Sequence, residues 1–198
     1  MQGLIVLSGA RGDGTGGNRL ARPWLRGVMG GMLSGVRVMV FLHGTAIMHA
    51  TAVGRPRAQR VRQSSQRSAS VLDFASYVPT EAAVGKVRAW SGHGAQICYL
   101  SSHTAAADVQ LDQQVLAAHR FTPGTVFFRS QGETYADVVR RSAADVLVED
   151  DCESIGGTGQ TAASGLSGTT GRTVRHIIVP EFGGLAHLPD DPEELART

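Results

Sequence analysis

The stretch Val36-Arg37-Val38-Met39-Val40-Phe41-Leu42-His43-Gly44-Thr45-Ala46-Ile47-Met48-His49 constrains this chain more than any other. Its apolar first half reads as a buried strand. The run breaks at Gly44-Thr45 and then re-enters apolar residues, which puts His43, Gly44 and Thr45 at the strand's carboxyl end. In open α/β sheets ligands bind outside that edge.

The rest of the chain supplies such a sheet. Pro79-Thr80-Glu81 predicts a helix start with Thr80 as its cap, Val84, Val87 and Trp90 on one face, and Gly92 and Gly94 as the stop. Gln96 to Leu100 follows as a strand ending at Ser101-Ser102-His103. Ala107, Leu111, Val115 and Ala118 recur at intervals of four and three and predict a second helix. Pro123-Gly124 then turns the chain into a short strand, Val126 to Phe128. A third helix presents Tyr135, Val138, Val139 and Ser142, and the strand Asp145 to Val148 ends in Glu149-Asp150-Asp151. A Gly-, Ser- and Thr-rich loop over 156–171 leads to a last strand, Val174 to Val179. Strand and helix alternate, as in a parallel sheet covered by helices on both faces. Right-handed crossovers would bring His43, Ser101 and Asp150 to one edge of it.

A chain of 198 residues with 42% hydrophobic content is long enough for a proper core. It has no long apolar stretch free of charge, so no membrane span is expected. Met1 to Ser8 is apolar, but no basic region precedes it and no cleavage site follows, so the expected location is cytoplasmic. The cysteines, Cys98 in an apolar run and Cys152 in an acidic loop, form neither a disulfide framework nor a metal cluster.

Charge is divided unevenly. Residues 1–70 hold ten of the chain's 19 basic residues and one acid, Asp13, whereas residues 71–198 hold nine basic residues and 16 of the 17 acids. The Gly- and Arg-rich residues 1–35 read as a flexible extension. Within them Gly3 to Leu7 is strand-like, and Gly12-Asp13-Gly14-Thr15-Gly16-Gly17 is a formal G-x-G-x-x-G. Pro23 comes too early for a long helix after it, and no acid stands at the distance a dinucleotide site needs. The α/β domain spans 36–190, with a basic polar insert at about 52–70 and a C-terminal tail at 191–198. The insert carries Arg55, Arg57, Arg60, Arg62 and Arg67, which could meet nucleic-acid phosphates. It has no aromatic residue for base stacking, so a solvated linker is the preferred reading.

Three features together resemble the haloacid dehalogenase-like (HAD-like) superfamily, mostly magnesium-dependent phosphatases. Phe41-Leu42-His43-Gly44-Thr45 is similar to its first motif, Asp-x-Asp-Gly-Thr, keeping Gly-Thr and replacing both aspartates. Leu100-Ser101-Ser102 matches the second motif, a strand ending in Ser or Thr. Val148-Glu149-Asp150-Asp151 matches the fourth, a strand ending in paired acids. The resemblance covers roughly residues 36–190, and the run Val179 to Pro189 and the loop Glu149 to Gly157 look like marks of an uncharacterised bacterial branch. It implies an α/β fold with a Rossmann-like parallel sheet, helices on both faces and no sizeable cap domain, leaving the site open or covered by a partner. The third motif, a lysine, is not matched: Lys86, the only lysine, precedes the second motif, and its role would pass to Arg140, Arg141 or Arg129.

The resemblance also implies chemistry. In these phosphatases the first aspartate attacks phosphorus, the second acts as acid and base, and Mg²⁺ bridges carboxylates and phosphate. A phenyl ring at position 41 can neither attack nor ligate. His43 can still act as acid or base near neutral pH. Gly44, Thr45, Ser101, Ser102 and Arg140 are then the phosphate-binding candidates, and Asp150 and Asp151 the metal ligands. Each has a plainer reading: Ser101 and Ser102 as helix caps, Thr45 as a brace for its loop, the paired acids as caps of the next element. His49, His103 and His187 show no spacing that suggests a metal site. The expected function is a phosphatase-like hydrolase of a small phosphorylated compound, its activity reduced or lost with the nucleophile. The alternatives are a non-catalytic anion-binding or regulatory module of the same fold and an Arg-rich nucleic-acid binder.

Overall fold

A computed structural model of the chain describes residues 35–166 and 173–197. The expected strand at Gly3 to Leu7 and the glycine turn at Gly12 to Gly17 lie outside the described residues.

Five parallel strands form the sheet in the order β5-β4-β1-β6-β7. They are β1 (Arg37–Phe41), β4 (Gln96–Leu100), β5 (Thr125–Phe127), β6 (Val146–Asp150) and β7 (Arg175–Val179). The chain moves outward from β1 to β4 and β5, then returns to the other side of β1 for β6 and β7. That is the doubly wound, Rossmann-like arrangement, with its switch point between β1 and β6. Alternation along the strands feeds two cores. Val38, Val40, Ile97, Tyr99, Val146 and Val148 pack on one face with α2 (Ala83–Gly92), α3 (Ala106–Ala118) and α5 (Pro192–Arg197). Met39, Cys98, Leu100 and Leu147 pack on the other with Val138 and Val139 of α4 (Tyr135–Ser142). A capping box between Thr134 and Asp137 opens α4.

Several elements differ from expectation. Thr80 does not cap α2, which begins three residues later. Thr80 is buried and its hydroxyl donates to the Thr45 carbonyl at 2.6 Å, so the loop after β1 claims it first. Pro79 belongs to β3 (Val78–Pro79), which pairs antiparallel with β2 (Ile47–Met48). The insert is not a bare linker, because it contains the helix α1 (Arg57–Ser65). Arg57 Nε donates to the Glu181 carbonyl at 2.9 Å and Arg60 Nη1 to that of Phe182 at 2.9 Å, so these two arginines clamp the closing run instead of facing solvent. The expected tail holds α5, whose Leu195 is fully buried.

The closing run is tied down along its length. Phe182 N–H donates to the Gly44 carbonyl and Leu185 N–H to that of Glu81. Lys86 Nζ donates to the Leu188 carbonyl and pairs with Asp190, and Trp90 Nε1 donates to the Pro189 carbonyl. The single lysine therefore has a structural post. Among the described residues no helix is long and apolar enough to cross a membrane.

Candidate functional site

The carboxyl ends of β1, β4 and β6 meet at one edge, as the crossovers require: Phe41 pairs with Leu100, and the Thr45 hydroxyl beyond β1 donates to Asp150 Oδ2 of β6 at 2.7 Å. Gly44, at φ 88°, lies so close to the Asp150 carboxyl that an added Cβ would come within 2.7 Å of it. Only glycine allows both that backbone angle and that approach.

Two groups of polar side chains lie along this edge. The first contains Asp150, Asp151 and Glu181, with ligand-type oxygens within 4.8 Å of one another. The expected acidic pair is thus present, joined by a third carboxylate from the closing run. Every member is engaged. Asp150 accepts from Thr45 and from Cys152 N–H; Asp151 accepts from Glu181 N–H at 3.0 Å and pairs with Arg57 at 3.2 Å; Glu181 accepts the Ser154 hydroxyl and N–H at 2.6 and 2.7 Å. Burial raises the pKa of Asp150 and of Glu181 above the ordinary carboxylate range, and neighbouring carboxylates push the same way. Glu149 points elsewhere: it accepts Ala162 and Ala163 N–H at 2.8 Å each, and burial lifts its pKa to about 7.

Mg²⁺ takes oxygen ligands, and these residues are of the right type. Phe41 adds no donor to them, Arg57 pairs with Asp151 and Glu153, and every buried oxygen of the three acids has a partner within the chain.

The second group was not foreseen as a unit. Asp112 of α3 is completely buried, with its Oδ2 accepting the Ser101 hydroxyl at 2.5 Å. Its Oδ1 lies 3.1 Å from His43 Nε2 and 3.7 Å from His103 Nε2. None of these three atoms has a hydrogen-bond partner. His43 Nδ1 and the Ser102 hydroxyl share a 2.8 Å hydrogen bond, and His103 N–H donates to Ser101 Oγ. Phe74 and Tyr77, which follow the insert, wall the histidines: the Phe74 ring is 4.2 Å from that of His103, and Tyr77 is 5.3 Å from His43. This side of the edge, expected to be open or covered by a partner, is thus lined by rings of the same chain. Burial holds the His103 pKa below the usual histidine value, and His43 beside it adds to that effect.

His43, Ser101 and Ser102 are brought together, and so are Gly44, Thr45 and Asp150. The hydroxyls of Thr45 and Ser101 are committed to carboxylates, and Gly44 N–H donates to the Ile47 carbonyl. Arg140 is exposed on α4, with bonds to Asp137 and the Gly165 carbonyl. Arg141 pairs with Glu133. Of the three arginines considered for the third motif, Arg129 is the one whose contacts lead to this edge: its guanidinium lies 4.0 Å over the Tyr135 ring, which packs edge-on against Phe41 and donates through its hydroxyl to the Ser102 carbonyl.

His103 corrects the reading of the histidines: it joins His43, whereas His49 bonds Thr51 and Ser70 and His187 is exposed. Asp112 was missed because the spacing of Ala107, Leu111, Val115 and Ala118 selects a face of α3 that shares only Val115 with the buried one. The buried stripe is Val109, Asp112, Val115 and Leu116. An acid spaced three residues from a valine on either side was the available signal.

No protein-family model matches the chain, and no curated protein does. Solved structures do. A chain of the Pnkp1/Rnl/Hen1 complex is 12% identical over 60% of this chain at a TM-score of 0.41, and this chain spans 40% of its length. A class C acid phosphatase from Bacillus anthracis with tungstate bound is 10% identical, with 76% of this chain and 68% of that one covered and a TM-score of 0.48. A HAD hydrolase of family IA, variant 3, from Entamoeba histolytica is 11% identical, with 82% and 98% covered and a TM-score of 0.45. HAD hydrolases are thus among the solved structures similar to this chain. At these identities the likeness concerns the course of the chain alone.

Proposed function

We propose that this protein is a phosphatase-like hydrolase of a small phosphorylated compound, with water activated at His43 in place of an attacking residue at position 41. The supporting observation is His43 itself, held at the carboxyl edge between the Ser102 hydroxyl and the buried Asp112 carboxylate. A histidine so oriented is suited to proton transfer or to ligation, and the first-motif carboxylates it replaces did similar work. Arg129 is the cation for the substrate's phosphate, preset by its stacking on Tyr135. Mg²⁺ is given no step. The cytoplasm is the fitting compartment for the two free thiols, Cys98 and Cys152.

A second reading, a non-catalytic anion-binding module, draws on Phe41 and on the engaged carboxylates. Phosphate release from a panel of small phosphomonoesters, with chelator, Mg²⁺ or Zn²⁺, separates the two. Release that disappears in His43→Ala supports the hydrolase. No release from any substrate under any of these conditions, with activity gained in a Phe41→Asp/His43→Asp double variant, leaves the module.

A further inference from the structure

Asp112 is the most deeply buried charged group at this edge, and half of its carboxylate makes no hydrogen bond. Its side chain is 1% exposed, against 14% for His43 and 10% for His103. A carboxylate oxygen left bare in such a place is costly unless a cation or a proton reaches it. Neither imidazole supplies an aligned N–H, although both Nε2 atoms lie within 3.7 Å. The His43 tautomer sets the direction of the Ser102 bond. In the tautomer with Nδ1–H donating to Ser102, Nε2 turns a lone pair towards Asp112 Oδ1 and two acceptors face each other 3.1 Å apart, the form a cation completes. Something positive belongs between them.

Distances identify what would fit. Ligand atoms about 2.1 Å from an ion at tetrahedral angles lie about 3.4 Å from one another. The two measured separations, 3.1 and 3.7 Å, straddle that value, and all three ligand-type atoms are within 4.8 Å. The supports around them are of the kind that orient metal ligands. Ser102 fixes one imidazole, Ser101 holds the other carboxylate oxygen at 2.5 Å, and Ser101 Oγ also accepts the His103 backbone N–H. Phe74 and Tyr77 keep the surroundings apolar.

We propose that His43 Nε2, His103 Nε2 and Asp112 Oδ1 form a binding site for a divalent transition-metal ion of the zinc class, with a fourth position open to water. Two imidazoles and one carboxylate suit such an ion far better than Mg²⁺, which prefers oxygen alone. The catalytic consequence rests on the hydrolase reading above; the binding itself does not. A metal-bound water ionises near pH 7, which supplies the nucleophile that Phe41 cannot. Its oxygen forms the new bond to phosphorus as the ester P–O bond breaks, and the released alkoxide takes up the proton the water gave up.

The test is titration of the full-length, chelator-treated protein with Zn²⁺ by calorimetry, and with Co²⁺ by visible absorption. The expected result is one equivalent of Zn²⁺ per chain, a Co²⁺ spectrum of low coordination number with nitrogen ligands, and no competition from millimolar Mg²⁺. Affinity falls at least about 100-fold in Asp112→Asn and in His103→Gln, and is unchanged in Asp151→Asn. If either of the first two variants fails to fold, the wild-type Co²⁺ spectrum and the Mg²⁺ competition decide alone. No stoichiometric binding, binding indifferent to Asp112→Asn and His103→Gln, or binding lost in Asp151→Asn overturns the site. Phosphate release measured on the same samples keeps the two proposals apart. Zn²⁺ binding without hydrolysis removes the hydrolase reading only, and hydrolysis in chelated protein that binds no Zn²⁺ removes the metal site only.

Discussion

The two polar clusters at the carboxyl edge differ in how complete they are. Around Asp150, Asp151 and Glu181 every buried carboxylate has donors from within the chain, and Arg57 supplies a positive charge. Around Asp112 three buried polar atoms converge within ion-pair distance, yet none makes a hydrogen bond. A satisfied cluster stabilises the fold that built it, whereas an unsatisfied one is tolerated where something else completes it. The acids that the sequence singles out thus brace the fold, and the proposed chemistry is drawn from the other cluster, where β1 meets β4.

The contrast can be broken most decisively at His43. His43→Ala should lower phosphate release about 10²- to 10⁴-fold, the usual worth of a positioned proton-transfer group or more, while leaving the thermal midpoint within a few degrees. Steady-state release assays beside a melting curve read both. Activity that survives the change would place the reacting group elsewhere.

Stability should respond unequally at the two carboxylates. Asp150→Ala strands the Thr45 hydroxyl and the Cys152 N–H in a buried place, at a cost of about 3 kcal/mol. Metal-free Asp112→Asn keeps an acceptor for Ser101 and removes a bare charged oxygen, so its change should stay within about 1 kcal/mol. Urea titration of both variants gives the comparison. Equal losses would mean that the Asp112 cluster is structural after all.

Glu149 sharpens the comparison from behind the edge. Its folded-state pKa of about 7 exceeds its ordinary value of 4.5, so between those values the folded chain holds a proton that the unfolded chain has lost. Its contribution is fully present below pH 4.5 and is lost as pH rises to about 7, by about 3 kcal/mol at most. Glu149→Gln should flatten that part of the stability profile, as urea midpoints at pH 5 and pH 8 would reveal. An unchanged slope would mean that the two N–H bonds from Ala162 and Ala163 outweigh burial and keep the carboxyl ionised.

The smallest effect is expected at Arg57, whose side chain is 36% exposed. Arg57→Ala should cost about 1 kcal/mol or less in low salt, and less again at high salt, because partly solvated ion pairs are weak and screened. A large loss would show the clamp on the closing run to be stronger than its exposure suggests.

Much of the fold was legible in the sequence because it depends on local pattern. The strand ending at His43-Gly44-Thr45, the alternation of strand and helix, and the apolar face of α4 follow from hydrophobic period and backbone chemistry. Gly44 is needed whatever the activity, since only a residue without Cβ fits beside Asp150. The insert was harder: its Arg-, Gln- and Ser-rich composition resembles solvated chain, and only the carbonyls of Glu181 and Phe182, distant in sequence, give Arg57 and Arg60 their partners.

The candidate site was half legible. His43 and Ser102 stand at strand ends, where a sequence can place them, but Asp112 lies mid-helix in an alanine-rich segment whose weak apolar pattern leaves the buried face open. The tertiary structure turned that face inward: burying Val109, Val115 and Leu116 carries Asp112 in with them, and the Ser101 hydroxyl supplies it a donor. The sequence determined where a ligand edge would be and that position 41 cannot attack. Which side chains would meet there was decided by packing, since a buried carboxylate takes its partners from whatever strands the fold brings beside it.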